Sequence, residues 1–251
     1  MRYVVLSDIH SNLEALTAVL QAPFAKRLDR VLCLGDILGY GADPAACLTR
    51  IHALGAVMVA GNHEWACIGK LDTGWFNDAA RVAVTWTRDQ LGFVELDILR
   101  RLPLTTTEGS FTLVHGSLRQ PARFEYLTDL ASIIDTLKSC RTLFCLVGHT
   151  HVPLFVEYDR QAHQVKRVIS QAKELRRVTF EDDPERFRYL LNPGSVGQPR
   201  DGSPQASAAV VDLEAKQLSV ERVPYPVEQA AGKIRQAGLP AFLAERLAAG
   251  R

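Results

Sequence analysis

The chain has 251 residues, 47% apolar and 23% charged, enough to bury a sizeable core and ordinary for a soluble globular protein. Its 29 basic residues face 28 acidic ones, and a net charge of +1 argues against a protein built to hold long nucleic acid. No uninterrupted apolar run approaches the ~20 residues that a bilayer-spanning helix needs, so no membrane role is expected.

In chain order, Tyr3–Leu6 predicts a first buried strand, and the opening Met1-Arg2-Tyr3 reads as strand, not signal peptide. A helix follows over Asn12–Leu20, with Leu13, Leu16, Val19 and Leu20 at helical spacing and Ser11 or Asn12 as cap. Val31–Leu34 predicts a second strand, Pro44–Leu54 a second helix led by Asp43, and Ala56–Ala60 a third strand. Residues 77–100 read as two helical pieces broken near Gly92. Thr105–Thr107 and Phe111–Val114 flank Glu108-Gly109-Ser110 as a hairpin. Asp129–Leu137 predicts a helix and Leu143–Val147 a strand. Beyond Val152 the chain is mostly β, with strands over Leu154–Tyr158, Gln164–Ile169, Ala206–Leu213 and Leu218–Val223. The charged stretch 171–188 has no clear period and reads as an exposed connection, with Lys173, Arg176 and Arg177 as a local basic patch. Helical spacing returns in the tail, 226–249, over Val227–Ala237 and Ala241–Leu247. This order implies an α/β fold with two sheets and helices outside, residues 1–251 forming one domain. The pattern assigns the tail helices no place in that plan.

Five cysteines, Cys33, Cys47, Cys67, Cys140 and Cys145, are odd in number and lack any Cys-x-x-Cys spacing. Free thiols in a reducing cytoplasm are expected.

Five of the seven histidines lie in short segments at the ends of apolar runs. The segments are Asp8-Ile9-His10, Gly35-Asp36, Gly61-Asn62-His63-Glu64, His115-Gly116 and Gly148-His149-Thr150-His151. Singly, Asp8 reads as a helix cap, His115 as a strand-end histidine and Asn62 as a turn residue. Together they place carboxylates, imidazoles and a carboxamide on loops of a rigid sheet, which is how a metal site is built. In an extended segment, residues i and i+2 point the same way, so Asp8 with His10, and His149 with His151, face one cluster.

The five motifs in this order resemble the calcineurin-like metallophosphoesterases, and the likeness extends through Asn192-Pro193-Gly194-Ser195-Val196-Gly197. The resemblance implies a four-layer α/β/β/α sandwich and two metal ions. The first ion would take Asp8, His10, Asp36 and His151, and the second Asp36, Asn62, His115 and His149. Two ions ~3.5–4 Å apart need a shared ligand, and the resemblance gives that bridge to Asp36. Oxygen and nitrogen donors without thiolate suit Mn, Fe, Co, Ni or Zn. A water between the ions would become the nucleophile. His63, beside Asn62, would point away from the metals toward substrate, to stabilise the transition state or protonate the leaving group. Glu64 orients a neighbour at most, and the glycines allow tight turns or close backbone approach. Trp65, Trp75, Phe76 and Trp86 read as packing residues.

One departure narrows the function. Phosphoprotein phosphatases of the superfamily continue as Gly-Asp-x-x-Asp-Arg-Gly, whereas Gly39 and Tyr40 stand at the Asp and Arg places here. The missing guanidinium removes a bidentate phosphate clamp unless Arg200 or Arg119 fills it. The expected activity is therefore metal-dependent hydrolysis of a small phosphodiester, nucleotide or dinucleoside polyphosphate, as in the small bacterial phosphodiesterase branch. A phosphoprotein phosphatase is the alternative, or a non-catalytic scaffold of the same fold, which would be expected to lose motif residues retained here. Oligomeric state is not legible.

Overall fold

A computed structural model describes residues 1–26 and 29–251, with every side chain in them except that of Trp75, whose predicted packing lies outside what is described. Among the described residues the chain first forms β1 (Arg2–Leu6), α1 (Leu13–Gln21), β2 (Arg30–Cys33), α2 (Pro44–Ala53) and β3 (Val57–Met58). Three helices follow, α3 (Asn62–Cys67), α4 (Asp78–Asp89) and α5 (Phe93–Arg101), then the hairpin β4 (Thr105–Glu108) and β5 (Phe111–Val114). Next come α6 (Leu130–Ser139), β6 (Phe144–Leu146), β7 (Pro153–Asp159), β8 (Gln164–Ile169), β9 (Val178–Thr179) and β10 (Phe187–Pro193). The chain closes with β11 (Ala206–Asp212), β12 (Gln217–Val223), α7 (Val227–Gln236) and α8 (Ala241–Ala249).

The strands form two six-stranded sheets, ordered β3-β2-β1-β11-β12-β9 and β4-β5-β6-β10-β7-β8. Within the first, β1, β2 and β3 run parallel and β11 antiparallel to β1. In the second, β5, β6 and β10 run parallel. Side chains alternate across a strand, and β1 is apolar on both faces. Its Tyr3 and Val5 join Leu32, Phe111, Phe144, Phe155 and Tyr189 in a core between the sheets. Val4 and Leu6 instead pack outward on α1 and α2, against Leu16, Val19, Leu48 and Ile51. On the far side, Val147 and Leu190 meet Ile133 and Leu137 of α6. The four layers α/β/β/α are those expected.

One expectation fails. The stretch 171–188 is not simply an exposed connection: Leu175, Val178 and Phe180 are buried in the inter-sheet core, and Val178 pairs with Leu218 in β9. Its apolar residues are spaced irregularly among charges, so they give no period. The end of the same stretch enters β10, central to the second sheet. Arg188 disguises that strand, but its guanidinium is buried and donates to the carbonyls of Cys140 (3.0 Å) and Arg141 (3.3 Å). A buried charge is tolerated when hydrogen-bonded in this way.

The tail helices have a place. Ala230, Ile234, Leu243 and Leu247 pack with Ala80 and Ala83 of α4 around Tyr40. Lys233 joins α7 to α1 and to the loop ahead of α2 through Glu14 (2.6 Å) and Asp43 (2.8 Å). No described helix is long and apolar enough to cross a membrane.

Phe144, fully buried, meets Phe111, Phe180 and Tyr189 with ring centres 4.9–5.4 Å away. Phe144→Ala is expected to lower stability by about 3–5 kcal/mol in denaturant unfolding. Phe93→Ala, at a side chain 80% exposed, should change it by less than about 0.5 kcal/mol. Equal midpoints for the two variants would contradict this core assignment.

Candidate metal centre

The loops after β1, β2, β5 and β6 bring Asp8, His10, Asp36, His115, His149 and His151 together, all buried, and the start of α3 adds Asn62. Five of these seven residues have left-handed backbones: Asp8 (φ 54°), His10 (48°), Asp36 (49°), His149 (70°) and His151 (61°). The paired residues therefore do not converge as i and i+2 of an extended segment. Each reaches the cluster from a tight turn, at a cost of roughly 1–2 kcal/mol per residue. Bonds between loops hold the turns: Asp8 N–H donates to Gly35 O (3.1 Å), His10 N–H to Asp36 O (3.0 Å) and Gly148 N–H to His115 O (2.8 Å). The Asn192–Gly197 loop braces them. Ser195 Oγ donates to Asp8 O (2.7 Å) and Asn192 Nδ2 to Gly148 O (2.8 Å).

Glu64 does more than the sequence indicates. Its Oε2 accepts from the backbone N–H of Asp36 (2.7 Å) and Gly61 (2.8 Å), and its Oε1 from that of Leu38 (3.1 Å). One buried carboxylate thus ties the Asp36 turn to the start of α3. Burial, aided by the charge of Asp36, pushes its pKa up to about 7 against the pull of those amides. Gly61 lets the two loops touch, since a Cβ there would strike Asp36 Oδ1.

The histidines are oriented by their outward nitrogens. Nδ1 faces a backbone carbonyl in His10 (Leu38 O, 2.9 Å), His115 (Leu34 O, 2.7 Å) and His151 (Gln198 O, 2.6 Å). A carbonyl only accepts, so Nδ1 carries the proton and a neutral ring presents a bare Nε2 lone pair to the cluster. Yet His10 Nε2 and His151 Nε2 lie 3.1 Å apart, whereas His115 Nε2 lies 3.0 Å from His149 Nδ1, which can donate to it. Asp8 Oδ1 and Asn62 Oδ1 are buried without hydrogen-bond partners. Asp36 Oδ2 sits 3.2 Å from His115 Nε2 and 3.8 Å from His10 Nε2, while Asp8 Oδ1 sits 3.3 Å from His151 Nε2. Acceptors facing acceptors around buried carboxylates call for a cation between them. Without an ion, Asp36 would instead hold a proton on His115, whose pKa it lifts to about 9 against the effect of burial, while burial takes His149 down to about 3. Asp8-His10-His151 and Asp36-His115-His149 are each grouped tightly enough to hold an ion, and the donor chemistry fits one.

His63 belongs to the same cluster and does not turn away from it. Its Nε2 is 4.0 Å from Asp36 Oδ2 and its ring centre 4.9 Å from that of His10. A Cβ at Gly39 would collide with its Nδ1, so the residue replacing the family's aspartate makes room for the imidazole. Burial pushes His63 down to about 4 despite Asp36. Tyr40 is buried, with its ring 4.6 Å from both His10 and His63. Asn62, His63 and His149 open on a cleft of about 620 Å³ also lined by Phe76, Phe124 and Tyr126. Tyr126, stacked 3.8 Å from His149 and 51% exposed, has no motif around it and is missed by sequence reasoning. Trp65 packs on Phe124, and Trp86 on the tail-helix core. Arg119 is paired with Asp135 (3.2 Å) on the exposed surface, whereas Arg200 stands beside Tyr40.

Fold and cluster together define the class, a hydrolase of phosphoesters. The sequence model of the calcineurin-like phosphoesterase superfamily domain matches residues 1–216, and the chain belongs to that superfamily. An uncharacterised protein of Methanocaldococcus jannaschii is 36% identical over 254 residues, covering 98% of this chain and 97% of its own. The crystal structure of a metallophosphoesterase from Sphaerobacter thermophilus is similar over 100% of both chains, with 39% identity and a TM-score of 0.83. A hypothetical protein from Pyrococcus horikoshii OT3 shares the fold at 20% identity, with a TM-score of 0.79 over 100% of this chain and 98% of its own.

Glu64→Ala would leave three buried N–H donors unpaired, at about 1–3 kcal/mol each. Denaturant unfolding is expected to show a loss of about 3 kcal/mol or more, with a smaller loss in Glu64→Gln, which keeps one carbonyl oxygen. An alanine variant as stable as the parent would deny Glu64 its bracing role.

Proposed function

We propose that the protein is a dinuclear metal-dependent phosphoesterase that hydrolyses a small phosphodiester, nucleotide or dinucleoside polyphosphate. Asp8, His10, Asp36 and His151 would hold one ion, and Asp36, Asn62, His115 and His149 the other, with Asp36 shared. The observation that carries this reading is the pair of facing Nε2 atoms of His10 and His151, 3.1 Å apart, whose protons are drawn to carbonyls on the far side. Two such ions, of Mn, Fe, Co, Ni or Zn, would supply an activated water and positive charge for the phosphoryl oxygens. The protein's own part is to hold its donors in strained turns, to keep His63 at the base of the cleft, and to exclude bulk water by burial. His63 would donate a hydrogen bond or proton to an oxygen of the reacting phosphate. Residues 1–251 act as one domain, with the tail helices closing its side. The five free thiols support a reducing, cytoplasmic setting.

Chelation is expected to abolish activity, and Mn²⁺ or a similar ion to restore it. Asp36→Asn should lower the content of both ions in elemental analysis, because it weakens the shared donor; full activity and content in that variant would end the bridging assignment. His63→Ala should lower kcat by about 10²–10⁴-fold while metal content stays near two per chain. A lost ion would instead make His63 a donor to metal.

Gly39 and Tyr40 supply neither the carboxylate nor the guanidinium used by phosphoprotein phosphatases. Aryl or nucleotide diesters and dinucleoside polyphosphates are therefore expected to give higher kcat/KM than phosphoserine or phosphothreonine peptides under one metal condition. A phosphopeptide preference of tenfold, about 1.4 kcal/mol in transition-state binding, would reverse the assignment.

A further inference from the structure

The cleft above the cluster is walled by aromatic rings, and one of them has a face to spare. Tyr126 stacks on His149 with ring centres 3.8 Å apart and 22° between the planes. It lines the cleft and is 51% exposed, so the histidine covers only one side of its ring. The segment that carries it is anchored at both ends. Phe124 is buried and packs edge-on against Trp65 (5.5 Å), and buried Leu127 packs with Val114, Ile133 and Leu137. Gly116, next to His115, lets this segment lie against the cluster, since a Cβ there would come within 2.9 Å of Glu125 O. The motif glycine thereby brings Tyr126 to the edge of the site.

The rest of the lining narrows what the cleft takes. His63, the other imidazole there, has the Phe76 ring centre 5.2 Å from its own, so both cleft histidines carry an aromatic neighbour. Arg123, the one arginine or lysine among the described lining residues, is already engaged. It pairs with Glu125 (3.5 Å) and donates to Gln120 Oε1 (3.0 Å). Asn77 Oδ1 is likewise taken, accepting from Ala80 N–H (2.9 Å) as the cap of α4. The wall therefore offers π surface rather than charge to whatever is joined to a phosphate at the cluster. Aromatic faces attract other flat rings in offset stacks, and every nucleobase has such a face.

We propose that Tyr126 is a specificity-determining residue, whose uncovered face stacks on a flat aromatic group joined to the reacting phosphate, an aryl ring or a nucleobase. The inference rests on the reading that the Asp and His cluster holds that phosphate. An alkyl group of equal bulk would fill the same space without the face-to-face contact.

Titration calorimetry of the metal-loaded protein tests it with phosphonates, whose P–C bond resists hydrolysis. Phenylphosphonate puts the ring on phosphorus, and a phosphonate isostere of AMP puts it across a ribose. At least one of them is expected to bind at least about fivefold more tightly than cyclohexylphosphonate, a ring of like size that is not flat. That advantage should vanish in Tyr126→Ala and persist in Tyr126→Phe, and the probe that shows it identifies the aromatic group. The ratio cancels the shared phosphonate, so a variant that only disturbed His149 or an ion would weaken all probes alike. Should Tyr126→Ala misfold, seen in its unfolding midpoint, Tyr126→Leu keeps bulk over His149 and serves as the test. A smaller advantage in the parent, or one kept by a folded variant without the ring, overturns the proposal. Hydrolysis of an aryl diester is followed in parallel. Ring selectivity without hydrolysis supports the stacking face and sinks the proposed activity, while hydrolysis without selectivity does the reverse.

Discussion

The Glu64 carboxylate is the constraint on which the site depends. It accepts three backbone N–H groups from two loops, at Asp36, Leu38 and Gly61. Those loops end β2 and begin α3, and each carries a residue of the cluster. Without a fixed acceptor between them, the left-handed turn at Asp36 would have little to oppose its cost, and His63 would lose its seat over Gly39. The carboxylate works by charge-assisted hydrogen bonding to amides that would otherwise be buried and unpaired. A side chain that touches no substrate thereby sets where Asp36 Oδ2 points.

The layers, most helices and the cluster residues are legible because they depend on local pattern. Apolar runs mark buried strands, and a polar residue at the end of such a run faces the sheet edge. What was not legible depends on distant partners. The turns at Asp8 and His10 are left-handed because Gly35 O and Asp36 O, from another loop, take their amides. Glu64 looks idle in sequence because its three donors come together only after β2 and α3 meet. Arg188 looks unsuited to a core strand until the carbonyls of Cys140 and Arg141 appear opposite it. Tyr126 lies in an irregular loop, where no period distinguishes an exposed ring from one at a cleft.

The Gly39-Tyr40 pair shows how a departure from a motif can be read twice. In sequence it is a loss, a missing carboxylate and guanidinium. In three dimensions it is a substitution of one packing scheme for another. The imidazole of His63 occupies space that a side chain at 39 would need, and the Tyr40 ring forms the floor on which α7 and α8 are laid. The same tyrosine touches His10 and His63 on one side and the tail-helix core on the other, so packing of the tail is mechanically continuous with the cluster.

The cluster also straddles the seam between the two sheets. Asp8 and His10 leave the first sheet, His149 and His151 the second, and the residues that meet across the seam are separated by 141 positions in the chain. A cation held there is a non-covalent crosslink closing a very long loop, of the kind that most restricts an unfolded chain. It can form only once both halves have docked, since neither sheet alone presents a complete donor set. Capture of such an ion would then belong to the last stage of folding, and its release would be a step toward opening the sandwich along its middle.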